Sequence, residues 1–346
     1  MDLKTNEGIL KELEAVVASE EHDLRSFLYR EMVLNVLKSK RDELDLLDLK
    51  VLNRAIAEFR YAAKTFKPYR GTRKVSIYGS ARTPTDDPYF DLAVTFGRKM
   101  AEAGFMAITG SGEGIMRAGI EGAGAENSFG VNILLPFEQM PAAVIQDDPK
   151  LITFRYFFTR KLFFVMEADA FALFPGGFGT MDESFETLTL LQTGKATPSP
   201  LVLMELPGED YWETWDDFVQ KQLLGQGYIS EQDLSLYKIA HTPEEGVKWI
   251  LSYYSTYHST RQVRDKLIIR TMKTLTDEHI ERLNDRFSNL VGKGKIERVQ
   301  ATNAEQDEPE LADLPRIGFV NDRKKPGLLN QMILTINEMG KELTSN

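Results

Sequence analysis

The sequence contains no cysteine, which excludes a disulfide framework, a thiolate metal site and a cysteine nucleophile. Histidine is nearly as scarce: His22, His241, His258 and His279 are the whole complement. None lies in a glycine-rich segment, so a histidine-rich metal centre and a Ser-His-Asp arrangement both lack their parts. His258, between Tyr257 and Ser259, reads as structural. No apolar run reaches the length of a membrane span, and Met1 to Glu7 do not resemble a signal peptide. The reading is a cytoplasmic protein with no membrane partner. The patterns GxGxxG and GxxxxGK[ST] are missing as well, which disfavours a dinucleotide site and nucleoside triphosphate hydrolysis.

What is present is ordinary in bulk. Hydrophobic residues make up 42% and charged ones 27% of 346 residues, enough for one large domain with additions or two modest ones. The net charge of −10 argues against nucleic acid as the main partner. The basic clusters Arg70 to Lys74 and Lys293 to Arg298 are not interleaved with aromatics in a stacking pattern.

Residues 1–70 read as a helical extension, with no proline or glycine between Ile9 and Lys67. Leu52, Ala55, Ile56, Phe59 and Ala62 share one helix face, as in a cover or an oligomerisation arm. From residue 71 to 257 short apolar runs alternate with longer amphipathic ones. Strands are predicted at Val75–Tyr78, Phe105–Thr109, Val131–Leu135, Ala170–Phe174 and Leu201–Met204. Helices are predicted at Tyr89–Ala103, Ile115–Gly124, Arg155–Glu167, Thr180–Thr193, Tyr211–Leu224 and Pro243–Tyr257. Such alternation is the signature of an α/β fold whose parallel sheet is covered on both faces. Residues 258–346 read as a small appended α/β element, with strands at Leu267–Arg270 and Ile317–Val320 and a mobile acidic stretch from Asn303 to Asp313.

The most informative segment runs from Leu173 to Glu186. An apolar strand stops at Pro175; Gly176, Gly177 and Gly179 follow, and Thr180 opens a helical pattern. Bare glycine backbone at a helix start lets successive N–H groups converge on an anion. Glu183 lies one turn further in. Thr180-Met181-Asp182-Glu183 also fits a capping box, which would make that carboxylate structural. Helical phase puts Met181, Phe185, Leu188 and Leu191 in the buried stripe. Catalysis and capping both stay open for Glu183. Arg160 and Lys161 interrupt a helix that is apolar nearly all round and so expected to be buried. Two adjacent cations there call for an anion or a carboxylate. Gly110-Ser111-Gly112-Glu113-Gly114 is either a tight strand-to-helix turn or a phosphate loop.

Together these residues resemble the LOG (Lonely Guy) family, whose members carry PGGxGTxxE. Pro175 to Glu183 match that motif in full, Arg160-Lys161 match the family's arginine–lysine pair, Gly79-Ser80 its early turn, and Thr109 to Met116 its glycine-rich segment ending Gly-Ile-Met. The resemblance covers roughly residues 70–230. It implies a Rossmann-like fold, a homodimer or larger assembly, and a phosphoribohydrolase needing no cofactor or metal. Such an enzyme cleaves a nucleoside 5′-monophosphate, either a cytokinin riboside monophosphate or an ordinary nucleotide, to free base and ribose 5-phosphate. Arg160 and Glu183 would then be catalytic. Gly79, Ser80, Gly110, Ser111, Gly112, Met116, Glu138, Lys161, Gly176, Gly177, Phe178, Gly179, Thr180, Met181, Asp182 and Thr189 would bind the nucleotide. The alternative is a nucleotide-binding regulator of the same fold without turnover. The chain departs from the short plant members in having Phe157-Phe158-Thr159 before Arg160, and in placing Glu113 within the glycine turn. Proteins of this kind are often labelled lysine decarboxylases. No lysine here stands in a recognisable pyridoxal-phosphate setting.

Overall fold

The structure is a computed structural model that describes residues 5–18, 24–135, 141–322 and 325–343. The chain divides into two units, Met1–Arg60 and Tyr61–Asn346. The first is helical: α1 (Asn6–Ala18), α2 (Leu24–Arg41) and the greater part of α3 (Leu46–Phe66). No side chain of α2 is buried. Among the described residues, no helix is long and apolar enough to cross a membrane.

The second unit holds two sheets. The larger has seven strands: β1 (Lys74–Tyr78), β2 (Met106–Thr109), β3 (Ser128–Ile133), β4 (Leu151–Phe154), β5 (Ala170–Leu173), β6 (Leu201–Met204) and β7 (Tyr237–Ala240). Their order is β4-β3-β2-β1-β5-β6-β7, and every pairing is parallel. Side chains alternate across it. Val75 and Ile77 enter one apolar layer with α4 (Pro88–Glu102), α5 (Ile115–Ala123) and α9 (Pro243–Tyr253). Tyr78 enters the other, with the end of α3, α6 (Phe157–Met166), α7 (Phe178–Gln192) and α8 (Tyr211–Phe218). The α/β Rossmann-like architecture expected from the sequence is therefore present. β1 stands where the strand order reverses, with β2 on one side and β5 on the other. Ligands of such sheets bind beyond the carboxyl ends at that switch point.

All five predicted strands of this sheet exist, one with the predicted limits. The two missed strands, β4 and β7, lie at its edges, where burial is incomplete and the apolar run is broken by Thr153 and Lys238. Three helix expectations need correction. α8 stops at Phe218, and Val219–Leu224 form a wider π turn. α9 ends at Tyr253, because Tyr257 starts a new strand. α6 is not buried all round: Phe163 and Phe164 pack inward, whereas Phe157, Phe158, Leu162 and Met166 are exposed. It is an outer-layer helix with one face on the sheet.

The smaller sheet contains β8 (Tyr257–Val263), β9 (Lys266–Thr271), β10 (Val291–Arg298) and β11 (Arg316–Asn321), antiparallel in the order β10-β11-β9-β8. Helices α10 (Asp277–Phe287) and α11 (Pro326–Glu342) share its core. The two central strands are the predicted ones. The edge strands were hidden by polar or glycine-rich sequence. Asn337 joins the two sheets' elements by accepting from the N–H groups of Thr256 and Tyr257 (3.0 and 2.9 Å) and donating to the Tyr253 carbonyl (2.6 Å). The acidic stretch expected to be mobile is tied down. Glu305 is buried and takes hydrogen bonds from Arg270 (2.8 Å), Arg316 (3.2 Å) and the Thr302 N–H (2.9 Å).

Candidate active site

Three loops leave the carboxyl ends of β2, β1 and β5 and meet at Ser80. The Ser80 N–H donates to the Pro175 carbonyl (3.1 Å), and the Ser80 carbonyl accepts from the Ile115 N–H (3.0 Å) that starts α5. Gly114 makes that contact possible. Its φ is +64°, and a Cβ there would lie 2.2 Å from the Ser80 oxygen. Gly110 is bare for a different reason: a Cβ would lie 2.5 Å from the Arg160 guanidinium. Met116 packs its sulfur against the same turn. Ser111 sits in the left-handed region at φ +57° with its hydroxyl buried and without a partner among the described residues.

The Pro175 loop leads directly into α7. That helix begins at Phe178 with Gly177 as its cap residue and no side-chain cap. Thr180 is therefore the third helical residue, and the capping-box reading of Thr180 and Glu183 fails. The N–H groups of Gly176, Gly177, Phe178, Gly179 and Thr180 have no hydrogen-bond acceptor among the described residues. The Gly176 carbonyl is fixed by the Tyr211 hydroxyl at 2.6 Å. The phase of α7 differs from the expected one in part: Leu191 is buried and Met181 and Leu188 pack against the core as expected, but the buried face reaches further round. Thr180, Glu183, Ser184, Thr187 and Leu191 are buried, and Phe185 is exposed against Trp215. The polar side of the helix faces inward, because its first turns stand over the sheet edge where the loops converge.

Glu183 is only 8% exposed. Lys161 Nζ lies 3.7 Å from it and 2.8 Å from both Asp182 and Glu186. Burial raises the Glu183 carboxyl above the ordinary range, against the opposing charges of Lys161 and Arg160. Burial lowers Lys161, but hydrogen bonds to Asp182 and Glu186 and the charge of Glu183 carry it above its ordinary value. Arg160 donates from Nε to the Val131 carbonyl (2.8 Å), and its guanidinium stands 5.0 Å from the Phe164 ring. The adjacent cations are thus met by protein carboxylates at Lys161 and by a strand carbonyl at Arg160.

The structure brings together Gly79, Ser80, the Gly110–Gly112 turn, Met116, Arg160, Lys161, the Gly176–Asp182 segment and Glu183. Phe178, 98% exposed, projects outward from the start of α7. Thr189 does not join them. It is on the exposed face of α7, two residues past inward-facing Thr187 and roughly 16 Å along the axis from the helix start. Glu138 lies outside the described residues. Glu113 is paired with Arg117 at 3.3 Å. Sequence reasoning left Thr187 off the buried stripe of α7, yet it is buried in the same helix as Glu183. Thr187 is four residues after it, the spacing that puts both on one helix face.

With this geometry in view, comparison with known proteins is informative. The family model described as Possible lysine decarboxylase matches residues 112–250. A cytokinin riboside 5′-monophosphate phosphoribohydrolase LOG of Oryza sativa subsp. japonica is 25% identical over 188 residues, 54% of this chain and 75% of that protein. A cytokinin riboside 5′-monophosphate phosphoribohydrolase of Mycobacterium tuberculosis is 28% identical over 162 residues, 46% of this chain and 83% of that one. The resemblance to the LOG family holds. Among solved structures, the molybdenum cofactor binding protein from Rippkaea orientalis covers 52% of this chain and 96% of its own, at 20% identity and a TM-score of 0.38.

Proposed function

We propose that the protein is a LOG-type phosphoribohydrolase acting on nucleoside 5′-monophosphates. The observation that carries this reading is the neighbourhood of Glu183: a buried carboxylate that caps nothing, one turn inside a helix whose leading amides are uncommitted among the described residues. Those amides and the helix dipole suit a 5′-phosphate. Binding energy gained there, remote from the reacting bond, can hold the anomeric carbon against the carboxylate. Breaking the N-glycosidic bond builds positive charge on the sugar. Ionised Glu183 would stabilise that charge and orient or deprotonate the attacking water. Arg160 and Lys161 would keep Glu183 ionised against burial, and Arg160 would help position the sugar phosphate. Lys161 is ill suited to a Schiff base, which requires a neutral amine, because its carboxylate partners favour the charged form. The relatives' names supply cytokinin riboside monophosphates as candidate substrates beside ordinary nucleotides. The reading includes a homodimer or larger assembly, for which the outward Phe158, Leu162 and Met166 of α6 offer an apolar face.

The test is a panel of nucleoside 5′-monophosphates incubated with the purified protein and assayed for free base and ribose 5-phosphate. Release of both from at least one member is expected. Binding of a nucleotide with no release from any would favour a regulator without turnover.

A further inference from the structure

Helices α6 and α7 both start at the carboxyl edge of the larger sheet, after β4 and β5, and both cover the same face of it. They therefore run in the same direction, away from the glycine loops. Lys161 ties them together, its Nζ lying 2.8 Å from Asp182 and from Glu186 and 3.7 Å from Glu183. Residues 157, 161 and 164 recur at the spacing that puts them on one face of α6. Two of the three positions are fixed by contacts at the site: Lys161 by the carboxylates of α7, and Phe164 by the Arg160 guanidinium 5.0 Å from its ring. Phe157 takes the third, about 6 Å nearer the loops than Lys161.

Phe157 is 49% exposed, and its ring meets no other ring or cation among the described residues. Its neighbours are placed differently. Tyr156 and Phe158 stack on each other, with ring centres 5.8 Å apart and planes at 25°. A half-exposed ring at the rim of a polar site leaves apolar area in water that a flat ligand would remove. The other walls are of another kind. The Gly79-Ser80 and Gly110–Gly112 turns present backbone, and Asp182, Glu183 and Lys161 present charge.

We infer that Phe157 is the platform on which the nucleotide's base stacks. The inference rests on the phosphoribohydrolase reading for the placement of phosphate and sugar. With the phosphate on the leading amides of α7 and the anomeric carbon at Glu183, the base leaves the sugar toward α6, and Phe157 is the free ring on that side. Stacking accepts every base, because each has a π face. A purine's two rings cover more of Phe157 than a pyrimidine's one, so purine nucleotides bind more tightly.

Calorimetric titration of Glu183→Gln protein, with and without a substitution at Phe157, tests this apart from turnover. The probes are adenosine 5′-monophosphate, cytidine 5′-monophosphate and ribose 5-phosphate, the last having no base. Phe157→Ala should weaken adenosine 5′-monophosphate by about ten-fold, equal to about 1.4 kcal/mol, as for one base on one ring. Ribose 5-phosphate should stay within about two-fold, which also shows that the variant is folded. The advantage of the purine over the pyrimidine should shrink in Phe157→Ala and persist in Phe157→Trp. Unchanged affinity for adenosine 5′-monophosphate in Phe157→Ala, or an equal loss for ribose 5-phosphate, would overturn the inference and leave the proposed reaction standing. The expected losses in a protein whose wild type releases no base would uphold the platform and remove the reaction. Binding of none of the three probes would overturn both.

Discussion

Two buried glutamates, one in each sheet, are in opposite electrostatic states. Glu305 in the smaller sheet and Glu183 at the edge of the larger are 5% and 8% exposed. Burial alone raises both. For Glu305, the Thr302 N–H and the guanidinium groups of Arg270 and Arg316 outweigh it and bring the carboxyl down to about 2. For Glu183, burial prevails, because Lys161 is divided among three carboxylates and Arg160 bonds elsewhere. The supply of donors, rather than depth, separates the two. A fully satisfied carboxylate fastens the acidic stretch to its sheet; an under-supplied one retains the capacity to react.

Breaking that comparison should have its largest effects at the two glutamates themselves. Glu305→Ala leaves Arg270 and Arg316 buried without their shared counter-ion, so denaturant unfolding should show a loss of about 3–5 kcal/mol. Glu183→Gln should do the reverse in kind. Turnover should fall by ~100-fold or more, with the thermal midpoint unchanged or raised, since an ionised buried group has been removed. A lowered midpoint would place Glu183 with Glu305 as a structural residue.

The pH dependence sharpens the contrast further. Glu305 has a depressed folded value, so its stabilisation is complete above the unfolded carboxylate range and is lost as pH falls toward about 2. Its removal should flatten that acid limb of an unfolding curve by about 3 kcal/mol. Glu183 has a raised folded value, so its contribution is present at low pH and disappears as pH rises through that value. Activity should have the opposite trend, increasing with pH as Glu183 ionises.

Smaller effects come from the backbone around the two regions. Asn337→Ala strands two N–H groups and a carbonyl at the corner leading into the smaller sheet, at a cost of about 2–4 kcal/mol. Ser111→Gly should be mildly stabilising, by roughly 1 kcal/mol, because the serine is held at positive φ. Chemical denaturation measures both.

The fold was legible where burial is complete. β6 reads Leu-Val-Leu-Met and lies where the sequence places it, whereas β7 and β8, with Lys238 and the run His258-Ser259-Thr260-Arg261, lack the alternation that would reveal them. The site was legible as motifs but not as orientation. The glycine loops declare themselves by composition, yet the buried face of α7 extends beyond the apolar stripe to Thr180, Glu183 and Thr187, while apolar Phe185 is exposed. Apolar residues usually mark the inward face; here the inward face borders the sheet edge where the glycine loops converge.

The most direct measurement combines binding and cleavage in one variant. Glu183→Gln should bind a nucleoside 5′-monophosphate that the wild type cleaves, with affinity within about three-fold of the wild type's, and release no base. Base release by that variant at the wild-type rate would contradict the account.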